Sequence, residues 1–282
     1  MNEIDYATYE PDNSLKKGYA SLFGEIINEI SNNRWLIFQL FKKDFIALYK
    51  QSFIGVFWAV LLPLIAAGTF IVLSGAGVFN VGALSVPYPI YAILGTALWG
   101  LFSTGLVATT NSLVAAGPMI TKINFSKKSL VIASMGQALL AFIIQLCLVL
   151  ALFVYYRITP SPAILLIPLL IVPLVFFTLG LGFVLSLLNG IVRDVANMVS
   201  VIVTFLLFLT PVLYAKPTTG VLATLSSYNI LYYLVSVPRD LILFGTSDFL
   251  KGFLLSSAVA FFVFLLFLAV FHLTETRVAE RV

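Results

Sequence analysis

Six stretches of the chain, approximately residues 53–74, 88–116, 129–156, 162–188, 196–214 and 252–273, contain no Asp, Glu, Lys or Arg, and Arg157 stands just beyond the third. A hydrocarbon core of roughly 30 Å takes about 20 apolar residues per helical crossing, so each stretch is long enough to span a bilayer. The first, FIGVFWAVLLPLIAAGTFIVLS, is continuously apolar and does not alternate every second residue, which predicts a helix and not a barrel strand. The predicted fold is an all-α integral membrane protein with six transmembrane helices.

The segments between the spans add three features. Before the first span, Phe38, Phe41, Phe45 and Leu48 recur at helical spacing with Lys42, Lys43 and Lys50 off that stripe, predicting an amphipathic interface helix over 34–51. After the second, a Gly117-Pro118 break leads into MITKINFSKKSLV, either a short helix that docks on a partner or a solvated loop whose lysines fix topology. Between the fifth and sixth, two apolar stretches are each too short to cross and are interrupted by Pro217 and by Pro238-Arg239-Asp240. A re-entrant hairpin in the outer leaflet is predicted there, burying Leu231, Tyr232, Tyr233 and Leu234, with a seventh crossing as the alternative. Residues 1–30 lack the apolar core of a secretory signal and read as a cytoplasmic N-terminal segment, which leaves 31–282 as one transmembrane domain.

Composition supports the bilayer as solvent: 61% of the 282 residues are hydrophobic, 10% are charged, and the mean hydropathy is +1.07. With both termini in the cytoplasm, twelve basic residues fall inside (Lys16, Lys17, Arg34, Lys42, Lys43, Lys50, Lys122, Lys127, Lys128, Arg193, Arg277, Arg281). Four, namely Arg157, Lys216, Arg239 and Lys251, fall outside. This positive-inside bias accounts for the net charge of +4 without nucleic acid as a partner. Cys147 is the single cysteine, read as a buried small apolar filler within the third span.

Little in the sequence supports catalysis. His272 is the only histidine, read as interfacial filler, so no multi-histidine metal site and no Ser-His or Cys-His pair is expected. Asp44, Asp194, Asp240 and Asp248 are dispersed along the chain. Ion-coupled secondary transport usually needs ionisable residues within the spans, which are missing, although hydroxyls such as Ser103, Thr104, Thr109 and Thr110 leave a sodium site open. The chain has no G-x-x-x-x-G-K-[ST] loop, so ATP hydrolysis is expected on a separate polypeptide. Asn111, Gln137, Gln145, Asn189 and Asn197 read as helix-to-helix hydrogen bonders. Tyr88, Tyr91, Tyr155, Tyr156 and Tyr214 read as an outer aromatic belt, while Phe53, Phe57, Trp58, Phe205 and Phe208 either pack or offer flat faces to sugar rings.

The stretch KKDFIALYKQSFIGVFWAVLLPL, with Asp44, Tyr49, Lys50, Ser52, Gly55, Trp58 and Pro63 at the positions that matter, resembles the ABC-2 family of polysaccharide exporter permeases. The similarity continues through Ile123–Val131, NGIVRDVANM and Pro211–Tyr214, departing at Lys43, where the pattern often has Arg, and in the absence of a proline near Phe125-Ser126. The resemblance implies a homodimer in the bacterial cytoplasmic (inner) membrane, with both termini cytoplasmic, that carries lipid-linked polysaccharide such as O-antigen. Two cytoplasmic nucleotide-binding ATPase subunits would supply ATP and Mg, with no cofactor or metal on this chain. It further implies ATPase coupling through Ile123, Asn124, Phe125, Ser126, Lys127, Arg193 and Asp194, and an entrance gate at Phe41, Asp44, Tyr49, Lys50 and Ser52. The glycan channel would involve Phe53, Phe57, Trp58, Phe205, Phe208 and Tyr214, and the outer gate Tyr228, Tyr232, Tyr233, Arg239 and Asp240. An ABC-2 exporter of drugs or lipids is the alternative within that architecture.

Overall fold

The computed structural model describes residues 19–49, 57–76, 86–117, 125–214 and 220–278, and its elements are all helical. In chain order they are α1 (Tyr19–Asn32), α2 (Arg34–Tyr49), α3 (Phe57–Gly75), α4 (Tyr88–Ala115) and α5 (Lys128–Tyr155). A 3-10 turn (Pro162–Leu166) then leads through α6 (Ile167–Leu170) into α7 (Val172–Ile191), followed by α8 (Asp194–Leu209), α9 (Val221–Tyr228), α10 (Ile230–Phe244) and α11 (Leu250–Val278). Among the described residues, four helical stretches are long and apolar enough to cross a membrane: Tyr88–Ala115, Lys128–Tyr155, Pro162–Ile191 and Leu250–Glu275. Two further apolar helices, α3 of 19 residues and α8 of 16, accompany them.

Helix α4 is the most enclosed of the four long spans. Its residues from Ile90 to Gly95 are buried in succession, so it has no polar face at that level and must be surrounded. Its largest contacts are with α5 and α7, α11 packs on α7, and α3, α8 and α10 flank it. Small residues set these distances. A Cβ on Gly180 would lie 2.9 Å from the Phe264 Cα of α11, and one on Gly182 would collide with the Thr109 side chain of α4. Lipid tails are as apolar as side chains, so close backbone approach of this kind, and not apolar burial, favours helix association in a bilayer.

Three expected boundaries fall elsewhere. The fifth apolar run, expected to continue to Tyr214, stops as a helix at Leu209, because Thr210 precedes Pro211 and takes an extended conformation (φ −103°, ψ 122°). Pro238, expected to interrupt its segment, lies inside the continuous helix α10. There Leu231, Leu234, Val235 and Val237 are buried against neighbouring helices, and this packing outweighs one missing backbone hydrogen bond. The boundary placed at residue 30 also falls within a helix, since α1 runs to Asn32.

A Gly180→Ala substitution is expected to destabilise the protein by about 1–3 kcal/mol, since the α11 backbone would have to withdraw. Gly68→Ala, which has open space around it, serves as the control and should leave the midpoint unchanged or slightly raised. Thermal unfolding in detergent micelles distinguishes the two.

Candidate functional site

Two clefts run into one another along α4. The first, ≈ 370 Å³, lies between α2 and the C-terminal end of α4, and its lining includes Lys43, Asp44, Asn111, Ser112, Ser134 and Gln137. The second, ≈ 500 Å³, continues toward the middle of α4 past Trp99, Ser103, Thr104, Gln137, Ser200 and Thr204. Ala108, Asn111 and Gln137 belong to both, so the groove follows α4 from Trp99 to Ala116. At 1.5 Å per residue this is roughly 25 Å. Apart from the Lys43–Asp44 ion pair (3.8 Å) at its end, the polar lining is uncharged hydroxyl and amide. Burial pushes the Asp44 carboxyl above its ordinary value, and Lys43 offsets this only in part. The hydroxyls of Thr109 and Thr110 donate to carbonyls of their own helix, at Gly105 and Leu106 for the first and Leu106 for the second, and lie outside the groove lining.

At the same end of the bundle, charged groups from three helices meet. Lys128, in the first turn of α5, is fully buried, and its ammonium donates to Glu29 Oε2 of α1 (2.8 Å) and to Glu275 Oε1 of α11. His272 Nδ1 lies 3.9 Å from the Glu29 carboxylate and 3.6 Å from that of Glu275. The Lys127 ammonium donates to the Glu275 backbone carbonyl (3.3 Å). Burial pulls the Glu29 carboxyl upward, but its bond to Lys128 and the positive charges of Lys128 and His272 outweigh this and hold it below its ordinary value. The sequence reading took His272 as interfacial filler and Lys127 and Lys128 as topology markers or docking residues; the fold gathers all three around two glutamates, so His272 belongs to an ion cluster. The available signal was His272 and Glu275 spaced i, i+3 on an otherwise apolar helix. Nothing in the sequence pointed to Glu29.

At the opposite end, the irregular backbone after α8 is held by side chains. Arg239 of α10, 3% exposed, donates through Nη1 to the carbonyls of Pro211 (3.2 Å) and Val212 (2.7 Å), and through Nε to Asp240 (3.3 Å). Its guanidinium lies over the Tyr91 ring, 3.9 Å from the centroid. The hydroxyls of Tyr88 and Tyr91 donate to the carbonyls of Leu213 and Tyr214, and Asn229 Nδ2 to the Thr210 hydroxyl. Tyr88 and Tyr91, read from sequence as belt residues, therefore clamp a broken strand of backbone. Asn189 acts as the hydrogen bonder expected of it: it donates to the Thr110 carbonyl and accepts from the Ala196 amide, joining α7, α4 and α8.

The remaining sequence candidates are dispersed, and Cys147, expected to be buried, is exposed on the outer face of α5. Phe41 packs its ring over Gly136 of α5, whereas Phe38 of the expected stripe is exposed and Leu40 is buried in its place. Phe57 and Trp58 on α3 and Phe205 and Phe208 on α8 are exposed on the outside of the chain. Tyr214 donates to the Phe208 carbonyl (2.7 Å). Phe125 is half-buried against the core, and Arg193 and Asp194 are exposed where α8 begins, the acid in the first turn where the helix dipole favours it. Tyr228 is exposed, Tyr232 buried, and Tyr233 donates to the Ser227 carbonyl. Ile123, Asn124, Lys50, Ser52 and Phe53 lie outside the described residues, as does the Tyr49 side chain at the end of α2.

Two measurements follow. Arg239→Lys keeps the charge but not the planar fork, and Arg239→Met keeps neither; each is expected to cost about 2–3 kcal/mol of stability in thermal unfolding, because buried carbonyls lose a charged donor. The second concerns acid. A carboxyl held below its unfolded value contributes stability that is complete above that value and lost as pH falls through the folded one. The α1 contact should accordingly hold from neutral pH down to the ordinary carboxylate value of 4.5 and loosen only below it. The distance from a spin label at the exposed Ile27 position to one on α11, followed by electron resonance against pH, reads this directly.

Comparison with known proteins identifies the family. The ABC-2 type transporter family profile matches residues 36–243, well over half of the chain. The O-antigen export system permease protein RfbA of Myxococcus xanthus is 27% identical over 194 residues, covering 68% of this chain and 73% of its own. Two proteins of the same description from Klebsiella pneumoniae are 26% identical over 217 residues (76% of this chain, 82% of theirs) and 25% identical over 248 residues (87% and 94%). The chain belongs to the ABC-2 type transporter family, as a membrane-embedded transport subunit.

Proposed function

We propose that this chain is the permease subunit of an ATP-driven exporter that moves a lipid-linked, O-antigen-like polysaccharide from the cytoplasm across the bacterial inner membrane. The observation that carries the reading is the match, over as much as 87% of the chain, to proteins described as O-antigen export permeases. The groove along α4 supports it independently. Sugars are neutral and dense in hydroxyls, and a lining of serine, threonine, asparagine and glutamine can exchange hydrogen bonds with successive residues of a moving polymer without holding any one tightly.

In this reading two copies form the exporter, each on a cytoplasmic ATPase subunit that carries ATP and Mg, and both termini are cytoplasmic. Helices α3 and α8 join the four long spans to make six crossings; α2 lies at the interface as the entrance helix, and α9 and α10 form a hairpin in the outer leaflet. The segment Ile123–Lys127 receives the motion of the ATPase, with Arg193 and Asp194 in the neighbouring loop. Phe41, Asp44, Tyr49, Lys50 and Ser52 form the entrance. Phe53, Phe57, Trp58, Phe205, Phe208 and Tyr214 contact the glycan, and the hairpin from Tyr228 to Asp240 caps the outer mouth. The exposure of Phe57, Trp58, Phe205 and Phe208 supports their contact with a second copy, lipid or polymer.

Co-expression of the tagged chain with its genomic neighbours should recover a stoichiometric P-loop ATPase whose hydrolysis depends on this chain. Phe125→Asp and Arg193→Glu should each lower glycan export at least tenfold while the permease still folds. Recovery of the chain alone, or export of small apolar compounds without glycan, would sink the polysaccharide reading.

A further inference from the structure

The ion cluster around Lys128 contains more negative charge than its buried cation needs. Lys128 is wholly enclosed, and two carboxylates reach its ammonium, one from α1 and one from α11. Either alone would neutralise it. Glu275 is the more enclosed, with its side chain 11% exposed, whereas that of Glu29 is 29% exposed. If Glu29 withdrew into water, a neutral Lys128–Glu275 pair would remain, and no net charge would be left in the interior. Breaking a buried ion pair is ordinarily expensive because it strands a charge, and this arrangement avoids that cost. The ligand atoms of Glu29, His272 and Glu275 lie within 4.8 Å of one another, close enough for a metal ion, but the Lys128 ammonium takes the place a cation would fill.

The two sides that this contact joins are also specific. Lys128 immediately follows Phe125–Lys127, the segment assigned above to ATPase coupling, so the inference rests on that assignment. Glu29 precedes the joint between α1 and α2, and backbone hydrogen bonds run through it: Asn33 N–H donates to the Glu29 carbonyl (3.1 Å), and Ile37 N–H to that of Asn33 (2.9 Å). The Asn33 side chain adds a third bond, also to the Glu29 carbonyl (2.8 Å). A displacement of Glu29 is therefore passed to α2, whose other end places Lys43 and Asp44 in the groove.

We propose that Lys128–Glu29 is a releasable latch that transmits movement of the coupling segment to the entrance helix α2, with Lys128 and Glu29 as positioning residues for export and Glu275 as the counter-charge that remains with Lys128. The packing of Ile26, Phe23 and Ile30 keeps α1 on the bundle when the ion pair opens. His272 Nδ1 lies beside both carboxylates, and Lys127 donates to the Glu275 backbone carbonyl, so both border the latch.

Glu29→Gln tests this, because it preserves size and leaves the Lys128–Glu275 pair intact; Lys128→Met is the second variant. In the purified permease alone, hydrogen exchange of the α2 amides (34–49) should rise at least fivefold in Glu29→Gln, while that of α4 stays unchanged. In the complex with its ATPase reconstituted into vesicles, ATP turnover should remain within about twofold of wild type and glycan exported per ATP should fall at least tenfold, with partial recovery in Glu29→Asp. Unchanged exchange in α2, or unchanged export per ATP, overturns the latch. So does loss of folding in Glu29→Gln, which would make the contact structural. A wild-type chain that binds no ATPase would instead overturn the functional reading, and the exchange measurement would still decide whether the ion pair holds α2.

Discussion

An apolar solvent gives backbone amides and carbonyls no partner, so every break in a helix must be answered by a side chain. Among the described residues, this constraint accounts for the polar contacts made at two of the breaks. Where α8 ends at Leu209, the carbonyls from Pro211 to Tyr214 are met by Arg239, Tyr88 and Tyr91. Where α7 gives way to α8, Asn189 accepts from the Ala196 amide in the first turn of α8, and it donates to the Thr110 carbonyl of α4, which ties the break to that helix. The buried helix α4 carries Tyr88, Tyr91 and Thr110, so the irregular segments are referred back to one rigid element.

The two ends of the bundle use charge differently. Arg239 makes several contacts at once, to two carbonyls, a carboxylate and an aromatic face, and releasing any of them leaves the others holding. It behaves as a fixed clamp for a segment read from sequence as an outer gate. Lys128 has two carboxylate partners of which one suffices, a balance that allows Glu29 to part from it without stranding a charge. Under the proposed function this distinction gives rigidity at the end away from the ATPase and a low-cost opening at the end beside it.

The groove between these ends has few charges, and its neutral hydroxyls and amides provide many weak hydrogen bonds in place of a few strong ones, which suits the passage of a polymer under the proposed function. Several of these groups, including Ser200 and Thr204, also donate to their own helix, so they do not depend on a passenger for satisfaction.

The helical class, the positions of the long apolar helices and the presence of two short helices between the fifth and sixth runs were legible in the sequence, because each depends on local composition and on the thickness of a bilayer. The KKDFIALYKQ and NGIVRDVANM motifs also pointed to the family before any coordinates. The early end of α8 was missed although Thr210-Pro211 is a local signal for it, and the survival of α10 through Pro238 has no local signal, since it depends on packing against α4 and α11. Nor could the sequence join Glu29 to Lys128 and Glu275, 99 and 147 positions from the lysine, or bring Arg239 to Pro211 and Tyr91. Apolar periodicity records which residues avoid water. Which charges meet depends on how the helices cross, and that is decided by close-packed glycines such as Gly180 and Gly182, whose effect appears only when a second helix lies against them.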